Sequence, residues 1–558
     1  MLYPKLNERR DVYSLNGVWQ FKTVNPGYIP LEPVDDCMPM AVPSSMNEIV
    51  TDKKIKEHVG EVLYEKTFSL PVQEGKIYRL RIGATSHRCR VYLNGEYIGS
   101  GINGFYPVDL ELKNLTHTNR LSVVIDNRCT FDTLPVGRVT NGRQEINYDF
   151  YNFTGIHRDV VVYSLPEKHI DDIVIKTVVD GDYSKVKAYV SGNFEKATLT
   201  VLDRDRKVVA TSDTEDLIIE NPQLWSCETP NLYTLAVRTE EDYYEERFGI
   251  RKIEVKGDEF LLNGKPVYFK GFGMHEDFSI VGKGNCTPVT LRNFECMKWI
   301  GANSFRTTHY PYSEELMDLA DEYGYMVIDE VPAVGMNWWD EGDFTPSTVN
   351  EDTKKIHKEL ISLLYQRDKN HPCVVMYSVG NEPSTDEEEG AKYFEDIISY
   401  TRGVITDMPL TIVEWSVFDI NKIKPMVDVL CLNRYIAWYS NHARIDIIYD
   451  TLKNELVKYH DLYKCPVVIT EFGADTVEGN HSLPSESFSE EFQVEYLDEN
   501  CKVFDELDFV IGEHVWNLAD FKTKQGLTRV RGNRKGVFTR DRQPKLAAHF
   551  LRKRWESK

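Results

Sequence analysis

The sequence predicts a chain of three domains: a jelly-roll β-sandwich over residues 1–168, an immunoglobulin-like β-sandwich over 169–253, and a (β/α)8 barrel over 254–558. Three observations carry this expectation. The chain has 558 residues, and at about 150 residues per domain that suggests three or four units. Up to residue 253, short alternating apolar runs are broken by turn residues without helical periodicity. From residue 254 onward, near-continuous apolar strands alternate with amphipathic helices.

In the first domain, KIYRLRIG, CRVYLNG and RLSVVID have the period of half-buried strands. Asn94-Gly95, between VYL and EYIG, is the dipeptide of a tight hairpin. Many short strands with no helical pattern indicate a sandwich. IDDIVIKTVV, KVKAYVSG, ATLTVLD and LYTLAVRT repeat the style on the scale of an immunoglobulin-like domain. Asn221-Pro222 and Thr229-Pro230 mark turns on either side of Trp225. The barrel strands are VYFKG (267–271), NSFRT (303–307), YMVID (325–329), VVMYS (374–378), LTIV (410–413), VLCL (429–432), PVVIT (466–470) and IGEHV (511–515). Such runs suit strands covered on both faces. In KKIHKELISLLYQRDKN, Ile356, Leu360, Leu363 and Leu364 share one helical face, and His371-Pro372 closes that helix before the next strand. Eight strand–helix alternations point to the closed barrel, and no further module is expected after it.

Composition narrows the function. Lys and Arg number 66 against 88 Asp and Glu, so the net charge is 66 − 88 = −22. That disfavours nucleic acid or an anionic membrane as partner, because nothing offsets phosphate repulsion. A local basic pocket can still hold an anionic small molecule. Aromatic residues are 12%, a content that suits sugar clefts and β-sheet cores alike. No run of 18 apolar residues and no signal-like N-terminus occur, so a cytoplasmic enzyme is expected. The ten cysteines form no CxxC pair. They read as buried reduced thiols, and no metal site or cofactor is expected.

In a (β/α)8 barrel the polar residues just past the strand C-termini are placed to react. Strand four ends in Asn381-Glu382-Pro383 and strand seven in Glu471-Phe472-Gly473. Two apolar strands on opposite sides of the mouth each deliver a carboxylate. Glycoside cleavage needs such a pair: one protonated group for the leaving oxygen, one ionised group for the anomeric carbon. Each anion raises the pKa of its neighbour, keeping one carboxyl a usable acid.

Asn381-Glu382-Pro383, Thr470-Glu471-Phe472-Gly473, LNGVWQF (15–21), FTGIHRDV (153–160), FGIRKIEV (248–255) and FRTTHYPYS (305–313) resemble the retaining glycosidases of glycoside hydrolase family 2 over nearly the whole chain. The resemblance implies Glu382 as acid/base and Glu471 as nucleophile. Asn533-Arg534-Lys535 matches the Asn-x-Lys motif of the family's β-glucuronidases, where an amide and an ammonium meet a C6 carboxylate. A neutral hexose would leave that ammonium unpaired. Arg529 matches an arginine near the same carboxylate, and Arg531 and Arg534 read as surface charges.

Further matches imply contacts to the sugar. Asp149 reaches in from the first domain, His309 follows strand two, and Asn381 meets the 2-hydroxyl. Asn433 and Tyr435 follow strand six, with Tyr435 bonding the nucleophile; Tyr439 lines the pocket and Trp516 floors it. Met274 stands where some relatives carry a basic residue, while His275 and Glu276 read as structural. Trp338 and Trp339, in the loop after strand three, are candidates for a leaving-group platform or, alternatively, anchors of that loop. The expected substrate is a small-molecule glucuronide, and relatives suggest a homo-oligomer, dimer or tetramer. A β-galacturonidase, a neutral β-galactosidase or β-mannosidase, and a non-catalytic carbohydrate-binding protein are the alternatives.

Overall fold

The computed structural model describes residues 2–102, 104–338 and 343–558; Trp339 lies outside the described residues. The barrel closes with eight parallel strands in chain order. They are β1 (Phe269–Gly273), β2 (Ser304–Arg306), β3 (Met326–Glu330), β4 (Val374–Asn381), β5 (Leu410–Glu414), β6 (Leu430–Asn433), β7 (Val467–Glu471) and β8 (Val510–Val515). All eight overlap the apolar runs read from the sequence. Every residue of β3 to β8 is buried, which is why alternation is absent from them.

Helices do not follow every strand. They are α1 (Thr287–Ile300), α2 (Glu314–Tyr323), α3 (Glu351–Asp368), α4 (Glu388–Val404), α5 (Ile448–Tyr463), α6 (Glu490–Glu506) and α7 (Leu546–Glu556). The connection 415–429, from β5 to β6, carries no helix, so the expected eighth alternation is corrected. That segment holds Pro425 and the polar pair Asn421-Lys422. Asn421 donates to Glu414 Oε2 at 3.1 Å, folding the segment down over the strand end instead. α3 begins with a capping box at Asn350 and Thr353, satisfying its first N–H groups.

The first domain is a sandwich. One sheet orders Met38–Val42, Gly17–Thr23, Glu61–Ser69, Thr118–Asp126, Arg88–Leu93 and Glu96–Gly101; the other orders Val12–Ser14, Val160–Pro166, Lys76–Ile82 and Val108–Leu112. Asn94 and Gly95 both take positive φ, +53° and +88°, the requirement of the two-residue hairpin. A β-carbon on Gly95 would meet Leu31 O at 2.8 Å.

The second domain packs a three-stranded sheet on a four-stranded one. Its fully buried Trp225 donates from Nε1 to the Asp321 carbonyl in α2 at 2.9 Å, keying that domain to the barrel. All ten cysteines are free thiols. Among the described residues, no helix is long and apolar enough to cross a membrane.

Segment 146–150 of the first domain belongs to the barrel's core. Ile146, Tyr148 and Phe150 are buried with Tyr310 and Trp516 in one cluster. Phe150 lies 6.1 Å from the His309 ring. Asp149, between two anchored aromatics, is therefore held at the barrel mouth.

Candidate active site

The mouth of the barrel contains a cavity of about 480 Å³. Glu382, Glu471, Asp149, His309, Asn381, Asn433, Tyr435, Tyr439 and Trp516 all line it. The cavity is thus built from the ends of β2 through β8 together with one segment of the first domain.

Strand β4 delivers its carboxylate through a break in regular pairing. Its register with β5 shifts between Ser378 and Asn381, and such an irregularity re-aims side chains. The Asn381 N–H then donates to Ala333 O and the Glu382 N–H to Val413 O, each at 2.9 Å. Glu382 takes a φ of +50°, the left-handed region that a β-carbon disfavours. Two flanking backbone bonds hold it there. At the end of β7, a β-carbon on Gly473 would lie 2.2 Å from Trp516 O. Glycine lets the segment behind Glu471 press against the end of β8.

One guanidinium organises the barrel interior. Arg306, on β2 and fully buried, donates from Nη1 to both Glu330 oxygens at 2.9 and 2.7 Å, and from Nη2 to Glu471 Oε1 at 2.5 Å. Buried charge is costly unless paired on every side, and here one cation serves two carboxylates. Burial pushes Glu330 upward, but Arg306 and His309 outweigh it and leave it below its ordinary value. His309 Nδ1 lies 2.9 Å from Glu330 Oε1, and its ring stacks on Trp516 at 5.3 Å. Burial lowers the His309 pKa, so the imidazole is neutral near pH 7.

The two mouth carboxylates have different donors. Glu471 accepts from Arg306 and from the Tyr435 hydroxyl, the latter at 2.8 Å to Oε2. Glu382 accepts at Oε1 from Asn433 Nδ2 at 2.9 Å. Asn433 is itself fixed by Thr470 Oγ1, which donates to its Oδ1 at 2.9 Å. Burial pushes the Glu471 carboxyl up to about 8, against the pull of Arg306, and Glu382 adds to the rise. Burial raises Glu382 too, opposed first by the Asn433 amide. Two carboxyls raised in one cavity retain a proton between them at neutral pH.

Arg529, Asn533 and Lys535 converge one layer behind the cavity wall. Arg529 Nε donates to both Asp149 oxygens at 2.9 Å, and Asn533 Nδ2 to Asp149 Oδ2 at 2.7 Å. Lys535, fully buried, donates to Asp475 Oδ2 at 2.5 Å and to Tyr439 Oη at 2.8 Å. Tyr439 Oη also receives Arg529 Nη2 at 2.6 Å. Asp149 and Tyr439 are therefore the link between the basic cluster and the cavity.

Some expectations are corrected. Trp338 does not line the cavity: its ring packs edge-on against Phe131 at 5.9 Å and under Arg138 at 4.9 Å, because the first domain captures it. Trp415, Val417 and Ile436 form the outer wall instead, with Trp415 Nε1 donating to Pro383 O at 2.8 Å. Arg534 is not a free surface charge; its Nη1 donates to Asp520 Oδ2 at 3.2 Å. Met274 is buried, and its carbonyl accepts from the Thr308 and Tyr312 hydroxyls. Arg306, Glu330, Asp475 and Arg434, the last of which lines the cavity, were not singled out from the sequence. A charge inside the apolar run NSFRT was the available signal for Arg306; the others follow strand ends without a motif.

Among the described residues, Asp321, His371 and Cys373 bring possible metal-ligating atoms within 4.8 Å of one another. They lie at the opposite end of the barrel, and His371 Nδ1 is already bonded to Asp321 Oδ2 at 2.6 Å.

Comparison with known proteins agrees with this architecture. Models of glycosyl hydrolases family 2 match the sugar-binding domain at 12–166, the central domain at 168–251 and the TIM barrel domain at 253–558. A β-glucuronidase of Paenibacillus borealis is 41% identical, covering 100% of this chain and 98% of the relative. A β-glucuronidase from an uncultured Clostridium superposes with a TM-score of 0.97 at 44% identity, with 100% of both chains covered. A Ruminococcus gnavus β-glucuronidase solved with D-glucaro-d-lactam gives 0.94 at 38% identity, covering 99% of each chain. With all three domains matched and both mouth carboxylates in one cavity, this chain belongs to family 2 of the glycosyl hydrolases.

Proposed function

We propose that the protein is a retaining β-glucuronidase, with Glu382 as acid/base and Glu471 as nucleophile. The observation that carries this is one cavity holding both carboxylates beside a buried lysine and arginine cluster. The donors support these roles. Arg306 and Tyr435 favour the ionised form of Glu471, whereas Glu382 receives an amide N–H. Burial alone would leave the shared proton on Glu471, lifted to about 8, but a guanidinium and a hydroxyl both aimed at that carboxyl bond best to its anion, and we place the proton on Glu382.

Glu382 gives that proton to the glycosidic oxygen while Glu471 attacks the anomeric carbon, forming a glycosyl ester. Esterification removes the Glu471 charge. Glu382, now ionised, takes a proton from water, which attacks the same carbon and releases the sugar with retention. Asn381 meets the 2-hydroxyl, a contact that strengthens in the transition state. Asp149, His309, Asn433, Tyr439 and Trp516 hold the ring. The C6 carboxylate approaches Asn533, Lys535 and Arg529. The names of the relatives support this substrate.

The test is turnover of 4-nitrophenyl β-glucuronide beside the β-galacturonide, β-galactoside and β-mannoside. Wild-type protein should prefer the glucuronide, and Glu471→Ala should abolish turnover without loss of fold. Lys535→Ala should cost far more on the glucuronide than on neutral glycosides; equal losses would remove the carboxylate reading. A cytoplasmic homo-oligomer, dimer or tetramer, completes the proposal, and sedimentation of the purified protein gives its state.

A further inference from the structure

Asp475 stands four residues beyond Glu471, on the segment that leaves β7, and is 1% exposed. It does not line the cavity. Both of its oxygens are engaged. Oδ1 accepts the backbone N–H of Arg534 at 2.8 Å; Oδ2 accepts Lys535 Nζ at 2.5 Å and Arg529 Nη1 at 3.4 Å. The two segments are laced elsewhere as well. The Thr476 N–H donates to Arg534 O at 3.0 Å, and Gln493 Nε2 donates to both Ala474 O and Lys535 O, at 3.2 and 3.1 Å.

Counting donors shows what this arrangement leaves open. An ammonium has three N–H bonds. Lys535 directs one to Asp475 and one to Tyr439, so one is left for a substrate oxygen. The ammonium is otherwise enclosed by the rings of Tyr439, Trp438 and Tyr435, whose centroids lie 4.7, 5.4 and 5.5 Å away. Without a carboxylate beside it, an ammonium in such a site would shed its proton. Burial lowers the Lys535 pKa and the Arg529 cation pulls the same way, yet Tyr439 and Asp475, with a smaller share from Asp149, more than restore it.

We propose that Asp475 is the positioning residue for substrate-carboxylate recognition: it keeps Lys535 charged and sets residues 533–535 in register with the strand that bears Glu471, without touching the sugar. This inference rests on the β-glucuronidase reading. It adds that selectivity for the anion is carried through a carboxylate behind the pocket.

The experiment compares Asp475→Asn with wild type on 4-nitrophenyl β-glucuronide and the matching neutral β-glucoside, each across pH. The glucuronide kcat/KM should fall ~100-fold and the glucoside value by less than ~3-fold, the size expected for stranding a buried charge. The glucuronide profile of the variant should also gain an alkaline descent at lower pH than wild type, as the unpaired Lys535 loses its proton. The glucoside profile should not move. In a Lys535→Gln background, Asp475→Asn should add little.

Equal losses on both substrates, or a profile that does not shift, would overturn the inference. Should Asp475→Asn not fold, Asp475→Glu keeps the charge but displaces it from Lys535 Nζ and the Arg534 N–H. It should fold and show the same selective loss on the glucuronide, smaller in size; equal losses on both substrates would overturn the inference. Wild-type protein inactive on the glucuronide would overturn the β-glucuronidase reading and this inference with it. Active wild type with unaltered selectivity in the variants would overturn this inference alone.

Discussion

The Tyr435 hydroxyl donates to Glu471 Oε2 at 2.8 Å, from the loop after β6 across to the end of β7. A hydroxyl that donates to a carboxylate favours its ionised form. Tyr435→Phe removes one of the two donors, Arg306 and Tyr435, that favour the ionised form of Glu471 against burial. The acid limb of kcat/KM against pH should move to higher pH, and kcat should fall ~10- to 100-fold. An unmoved acid limb would mean that Tyr435 does not set the charge of Glu471.

Asn433 acts on the other carboxyl. Its amide opposes the burial that raises Glu382. Without that N–H the protonated form is favoured, so Asn433→Ala should carry the alkaline limb of kcat/KM upward in pH. Rate profiles on one glucuronide at fixed ionic strength would show it; a downward shift would contradict the geometry.

Removal of Glu382 should be felt according to the leaving group. Glu382→Ala should slow a poorly activated glucuronide by ~10³-fold or more, yet slow a dinitrophenyl glucuronide far less, because the latter needs little protonation. Azide should restore turnover and yield the β-glycosyl azide, identifiable by NMR. Uniform losses across leaving groups would reject Glu382 as the acid.

Far from the mouth, His371 is paired with Asp321 at 2.6 Å. Burial lowers its pKa, but Asp321 raises it more, to about 10 from 6.5. A group whose pKa is raised on folding contributes stability fully present below its unfolded pKa and lost as pH rises through the folded one. His371→Gln should therefore destabilise the protein by about 2–4 kcal/mol at pH 6. The penalty should shrink between pH 6.5 and 10 while KM stays unchanged. Urea unfolding at several pH values would measure it; a penalty independent of pH would exclude the ion pair.

The strands were legible because burial on both faces leaves an unbroken apolar run, visible without knowing the partner strand. Glu382 and Glu471 were legible because each directly follows such a run. The missing helix at 415–429 was not: that stretch has apolar residues at plausible spacing, and the bond from Asn421 to Glu414 exists only once β5 is in place. Whether Trp338 is a platform or an anchor was open for a similar reason, since its partners Phe131 and Arg138 lie some two hundred residues earlier in the chain.

Arg306 was passed over within NSFRT because a lone cation in a strand carries no motif. Its value comes from Glu330 on β3 and Glu471 on β7, which closure of the barrel brings to one guanidinium. The sequence by itself determined the order of strands, the hairpin at Asn94-Gly95 and the two acidic strand ends, because these depend on periodicity and turn chemistry among near neighbours. Tertiary structure alone decided which carboxylate meets a cation, which receives only an amide, and how Asp149, Asp475 and Lys535 share a cluster. Charge and hydrogen bonding act through space over a few ångströms, and folding sets those distances between residues hundreds of positions apart.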